Sequence, residues 1–159
     1  TSPRNVPTYS PRAMRNRLRS MQKKVNEGDP SAMYSLGACY ALGDGVKEDK
    51  EKALHYYMLS AEKGNKNAQY AAAACYSYGK GTPVDKNKAF ELYLEAANQG
   101  HPKAQFAVGH FYEYGQGGVE RDHDKAKEWY RKAAEQGHSA ARRFLEDCSS
   151  ESQFNESNE

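Results

Sequence analysis

Apolar and polar positions alternate along this chain with a helical period, and the pattern repeats. In the stretch "SAMYSLGACYAL", Ala32, Leu36 and Tyr40 fall at offsets of 4 and 8. The same places hold Ala68, Ala72 and Tyr76 in "NAQYAAAACYSY", then Ala104, Val108 and Tyr112 in "KAQFAVGHFYEY". Such spacing puts each trio on one face of an α-helix. A second stripe follows each time: Ala53, Leu54, Tyr57 and Ala61, then Ala89, Phe90, Tyr93 and Ala97, then Ala126, Tyr130 and Ala134 with Trp129 beside them. Aligning Gly28, Gly64, Gly100 and Gly137 gives spacings of 36, 36 and 37, the last interval containing the extra Gly118. One such helix pair is too small to bury its own apolar face, so the units are expected to stack in series.

Between the two helices of each unit lies a glycine-rich turn: Gly43-Asp44-Gly45, Gly79-Lys80-Gly81, and Gly115-Gln116-Gly117. A phosphate-cradling loop is needed once and follows a strand, whereas this turn occurs three times and no strand candidate exists. The first glycine of each turn suits a left-handed helix end, and the second permits the reversal after it. Asp49, Asp85 and Asp122 then stand where a carboxylate caps the next helix.

The termini keep the register. Met14, Leu18, Met21 and Val25 form a stripe before the first unit, and Ala141 and Leu145 match Ala104 and Val108 after the last. The expectation is therefore eight helices in an all-α, right-handed α/α solenoid. Residues 1–12 are a basic flexible leader and 13–27 an N-terminal capping helix. Three repeats follow at 28–63, 64–99 and 100–136, then a C-terminal capping helix at 137–147 and an acidic, polar, disordered tail at 148–159.

Composition sharpens the picture in three respects. Twelve Tyr against five Phe and one Trp suit half-buried interfaces between stacked units, because the ring is apolar and its tip is polar. The net charge of +2 is unevenly placed: the segment up to Asn26 carries +7 and the segment from Glu146 carries −5, leaving a neutral body without the electrostatic footprint of a nucleic-acid binder. Cys39, Cys75 and Cys148 are odd in number and include no CxxC, which disfavours a disulfide framework or a zinc site. With no apolar run long enough for a transmembrane segment and no signal peptide, a cytoplasmic or nuclear location is favoured for the chain, which lacks an initial Met and can be an excised domain.

Ala32, Leu36, Gly37, Tyr40, Gly43, Gly45, Val46, Asp49, Lys52, Ala53, Tyr56, Tyr57, Ala61 and Gly64 together form a pattern that resembles the Sel-1-like repeat family, relatives of the tetratricopeptide repeat. The third copy keeps most of it, and the second departs by having Ala72 and Ala73 in place of Leu and Gly, and Thr82-Pro83 in place of the Val. The resemblance spans about residues 13–146. It implies a non-catalytic scaffold or adaptor whose partner is another protein or a peptide segment. By analogy with tetratricopeptide units, the first helices line a concave face, which puts Tyr34, Leu42, Tyr70, Tyr78, Phe106, His110 and Tyr114 in a ladder beside the small Ala38 and Ala74.

Three other features are weighed against that expectation. Ser2 and Ser10 head matching Ser-Pro-Arg triplets and Ser20 follows Arg17-Leu18-Arg19, which suits phosphorylation that would lower the charge of the basic arm. The arm is also a cationic amphipathic helix, so binding of acidic membrane or nucleic acid is an alternative. Ser60-Ala61-Glu62-Lys63 matches SxxK, the signature of a penicillin-binding hydrolase, but the partner motifs of that chemistry are missing. The five histidines suggest neither a metal site nor a catalytic one, and no catalytic residue, cofactor or metal is expected.

Overall fold

A computed structural model describes residues 10–156. It contains α1 (Pro11–Asn26), α2 (Pro30–Leu42), α3 (Lys50–Glu62), α4 (Lys66–Tyr78), α5 (Lys86–Asn98), α6 (Pro102–Tyr114), α7 (His123–Glu135) and α8 (Ser139–Glu156). There are no strands among the described residues. Packing is densest within the pairs α2–α3, α4–α5 and α6–α7, and the next densest contacts join each pair to the following helix. Three helix pairs thus stack in sequence between two flanking helices, the arrangement of a helical solenoid.

Local chemistry explains where the helices begin and end. Asp49, Asp85 and Asp122 accept the backbone N–H of Lys52, Lys88 and Lys125, each at 3.0 Å. Gly43, Gly79 and Gly115 close α2, α4 and α6 in the left-handed conformation. The first helices have caps of their own: Asp29, Asn65 and His101 occupy one repeat position and each accepts from the first turn of α2, α4 or α6.

The core is built from small residues of one helix under rings of another. Ala68, Ala72, Ala73, Ala89, Ala96 and Ala104 are fully buried, and Tyr93, Phe111 and Leu92 fill the space around them. Gly37 and Gly109 lie directly under the rings of Tyr57 and Tyr130, where a Cβ would stand 2.8 and 2.7 Å from ring carbons. The second repeat holds Ala73 at this position, also buried and in the same core cluster as Tyr93. The departure there is absorbed by packing, and the repeat keeps the fold of its neighbours.

Two boundaries differ from the sequence-based expectation. Helix α1 starts at Pro11, inside the expected leader, because Ser10 accepts the Ala13 N–H at 3.2 Å and Pro11 suits the first helical position. Helix α8 does not stop at Asp147, and the segment expected to be a disordered tail continues it to Glu156. No Gly or Pro interrupts this stretch, and Ser149, Ser150 and Ser152 return their hydroxyls to the carbonyls of Leu145, Asp147 and Cys148.

A polar ladder also joins the repeats, and hydrophobic patterning gave no sign of it. Gln69, 4% exposed, donates to the Ala61 carbonyl at 3.4 Å and accepts from Gln99 at 2.7 Å. One repeat later Gln105 donates to Ala97 and accepts from Gln136 at 2.8 Å. Arg142 takes the corresponding place in α8, donating to Ala134 at 3.3 Å. Each of these carbonyls already accepts the backbone N–H of the glycine three residues on, so the side chain adds a second bond that ties one repeat to the next.

Candidate partner-binding site

The ladder predicted on the first helices divides into packed and open rungs. Tyr34 packs on Tyr57 with ring centroids 5.7 Å apart, Tyr70 on Tyr93 at 5.6 Å, and Phe106 on Tyr130 at 5.2 Å. All three remain half-buried, so each ring has one side in the core and one edge on the surface. Two turns further along, Leu42, Tyr78 and Tyr114 are 79%, 69% and 63% exposed, which makes them surface groups with little to lose on substitution. His110 is exposed between Phe106 and Tyr114, with its ring 4.6 Å from that of Tyr114.

Three hollows follow one another across this face. The largest, about 500 Å³, lies between repeats 2 and 3 and is lined by Tyr70, Tyr78, Phe106 and His110 together with Lys86 and Lys103. A second of about 350 Å³ adjoins it through Tyr70 and Lys103 and extends to Tyr34, Lys66 and His101. A third of about 300 Å³ shares Tyr34 and reaches Leu42, Arg17 and Asp44. All of the predicted residues except Tyr114 therefore line a hollow, and Tyr114 stands beside the largest through His110. The lysines were missed by the sequence reading, since nothing in the repeat pattern marks them.

Two histidines support the face from below. His101 accepts the Ala104 N–H on Nδ1 at 3.2 Å and stacks on Tyr70 at 4.7 Å. His138 does the same with Ala141 and Phe106, at 3.2 and 4.6 Å. An Nδ1 that accepts a hydrogen bond must be unprotonated. Burial, and then Lys66 and Lys103, hold the His101 pKa below its ordinary value, and burial with Lys103 does so for His138.

The folded chain therefore binds these protons more weakly than the unfolded chain. The stabilisation from both caps is complete above the unfolded pKa of about 6.5 and is lost as the pH falls through the lower folded values. Melting temperatures between about pH 7 and pH 5 should fall more steeply for the wild type than for His101→Asn/His138→Asn, because Asn caps α4 at the same position without titrating. Parallel slopes for the two proteins would refute the assignment.

No catalytic arrangement is found among the described residues. Ser60 is fully buried and donates its hydroxyl to the Pro30 carbonyl at 2.6 Å, while Lys63 is exposed just beyond α3. Among the described residues, no group of three or more His, Cys, Asp or Glu is placed to hold a metal ion. Cys39 and Cys75 are free thiols in the core. Among the described residues, no helix is long and apolar enough to cross a membrane. Of the basic arm, Leu18 and Met21 pack against Val25, Ala32, Met33 and Leu36, so the apolar face of α1 is taken up by the first repeat. Ser20 lies exposed in a hollow with Arg17 and Lys24, Ser10 caps α1, and Ser2 lies outside the described residues.

Stacked helix pairs with an open, ring-lined face define an α-helical repeat protein. The family model for the Sel1 repeat matches three times, at residues 30–65, 66–101 and 102–138, and the chain belongs to that family. Among solved structures, a Sel1 repeat protein from Oxalobacter formigenes is 37% identical, with a TM-score of 0.76 over 82% of this chain and 97% of that one. The c5321 protein, a protective antigen present in uropathogenic Escherichia coli strains and displaying an SLR fold, is 36% identical with a TM-score of 0.76 over 78% of this chain. This chain spans only 26% of that antigen. Helicobacter pylori cysteine rich protein B, 18% identical over 86% of this chain and 98% of its own, shares the fold with a TM-score of 0.65. A search of curated proteins finds no match. Sel1 repeat proteins are generally non-catalytic scaffolds that bind other proteins.

Proposed function

We propose that this chain is a non-catalytic docking module that holds an extended segment of a partner protein along the first helices of its three repeats. The observation that carries the reading is the continuity of the three hollows through Tyr34, Tyr70 and Lys103, with exposed Leu42, Tyr78, His110 and Tyr114 along the same side. Rings that are half-buried in their own domain are already ordered, so a ligand gains their area with little loss of conformational entropy. Hollows separated by ring rungs suit alternate side chains of an extended chain. The sealed hydroxyl of Ser60 speaks against a hydrolase of the penicillin-binding type.

Selection of a phage-displayed peptide library on the chain, followed by calorimetry on enriched peptides, tests this reading. Tyr78→Ala/His110→Ala should weaken binding about tenfold or more and leave the melting temperature nearly unchanged, since both side chains are exposed. Tyr70→Ala/Phe106→Ala should lower stability as well, because those rings also pack on Tyr93 and Tyr130. A library that yields no enriched peptide, or peptides indifferent to the first double variant, would sink the proposal.

Phosphorylation of the basic arm belongs to the same reading as a way of tuning it. Ser20 is exposed beside Arg17 and Lys24, where a phosphate would find basic partners. Mass spectrometry of the protein from its own cells, with Ser2, Ser10 and Ser20 all unmodified, would remove this part.

A further inference from the structure

The charges along the three hollows are predominantly positive. Lys86 and Lys103 line the largest, Lys66 and Lys103 the second, and Arg17 the third. The single carboxylate among all the lining residues is Asp44, and Arg17 already holds it at 2.8 Å. Glu113 is the nearest acidic group on α6, but it faces His123 of α7 at 3.1 Å and its side chain is only 14% exposed. Among the described residues, Lys66, Lys86 and Lys103 form no ion pair.

Lys86 is the most constrained of them. Its ammonium donates to Ser77 Oγ at 2.9 Å and lies 5.5 Å from the centroid of the Tyr78 ring. Ser77 is itself 6% exposed, so a half-buried cation is fixed at the rim of the largest hollow without a counter-charge. Like charges lining a concave surface repel one another in the free protein, and an anionic group arriving among them relieves that repulsion. Lys66 and Lys103 line the second hollow together with His101.

We infer that the groove takes an acidic peptide, an extended segment of a partner protein whose Asp or Glu side chains meet Lys66, Lys86 and Lys103 while an apolar or aromatic side chain enters the hollow between Tyr70, Phe106 and His110. This rests on the docking reading above and adds the chemistry of the occupant. A nucleic acid fits less well. The cations are few, they alternate with apolar hollows rather than form a continuous track for phosphates, and the body of the chain is neutral outside its basic N-terminal and acidic C-terminal segments.

The composition of peptides selected from a random library decides the matter, with the best binder measured by fluorescence anisotropy beside its Glu/Asp→Gln/Asn counterpart and a single-stranded RNA of equal charge. The expected result is enrichment in Asp and Glu and about tenfold weaker binding by the neutral counterpart. Affinity should fall with added salt, and Lys66→Glu/Lys103→Glu, a reversal at two exposed positions of the groove, should lose about tenfold or more. Lys47→Glu/Arg131→Glu, a reversal at exposed sites outside the groove, controls for net charge and should change little. Enrichment of neutral or basic peptides that still depend on Tyr78 and His110 overturns the charge inference and leaves the docking reading standing. Failure to enrich any peptide removes both. Equal affinity for the RNA, equally weakened by the lysine reversals, overturns the inference in favour of a general polyanion surface.

Discussion

Replacing Gly81 by alanine is expected to destabilise the protein by about 3 kcal/mol or more, the combined order of a left-handed residue carrying a side chain and of an overpacked backbone contact. Gly81 sits at φ +73°, and a Cβ there would collide with the carbonyl group of Lys50, its carbon at 2.6 Å, and stand 2.9 Å from the Glu51 nitrogen. The turn of the second repeat is thus pressed against the start of α3 in the first, and backbone cannot give way as a flexible side chain can. Gly100 separates the two causes, since its φ is +87° but nothing lies within 4 Å of its would-be Cβ. Gly100→Ala should therefore cost only the conformational part, about 1–2 kcal/mol. Denaturant titration of both variants checks the difference, and equal losses would show that the turn does not bear on the neighbouring repeat.

Tyr93→Ala is expected to cost about 3–5 kcal/mol, the range for deleting a large buried ring. Tyr93 is 4% exposed and touches Tyr70 of its own repeat at 5.6 Å and Phe111 of the next at 5.7 Å. It therefore joins two units as well as filling one. Burial raises its phenol pKa well above the ordinary value, and an interaction with Ser77 opposes that shift in part. Because stability in a stacked array depends on nearest-neighbour interfaces, the variant should also broaden the unfolding transition as repeats 2 and 3 lose their coupling. Tyr93→Phe keeps the ring and should lose far less. Tyr114→Ala, which removes a ring that is 63% exposed, should be close to neutral. A Tyr93→Ala protein as stable as Tyr114→Ala would contradict the packing described above.

The groove variants are best judged against these two. A change that reduces peptide binding is informative only where the fold is intact, and Tyr78, His110, Lys103 and Lys66 are exposed enough to be altered without loss of core. Tyr70 and Phe106 are not, since each is held between a core tyrosine and a capping histidine. The ring ladder read from the sequence thus mixes two kinds of residue that spacing cannot distinguish. Tyr34, Tyr70 and Phe106 share one helical position, and Leu42, Tyr78 and Tyr114 lie two turns on, where the neighbouring helices no longer cover them.

Much of the fold was legible because its determinants are local. Alanine and ring spacing within 3 or 4 residues defines each helix face, Asp49, Asp85 and Asp122 mark helix starts by bonding three residues ahead, and the glycine register sets the repeat. The extension of α8 was not legible, since a serine-rich acidic stretch has the composition of a tail and its hydroxyls satisfy themselves only once the helix exists. The glutamine ladder escaped for a related reason. Gln69 and Gln105 look like surface residues in sequence, and they are buried because the carbonyls of Ala61 and Ala97 and the amides of Gln99 and Gln136 converge on them from other helices.

The order of residues was sufficient to settle helix pairs, their caps, their period and their need to stack, because each depends on groups a few positions apart on one backbone. The tertiary structure alone decided which rings stay open, that successive hollows share Tyr34, Tyr70 and Lys103, and that Lys66, Lys86 and Lys103 line them from three different helices. Those relations are distances across helix interfaces, set by how side chains of successive pairs interlock, and no periodicity along the chain encodes them.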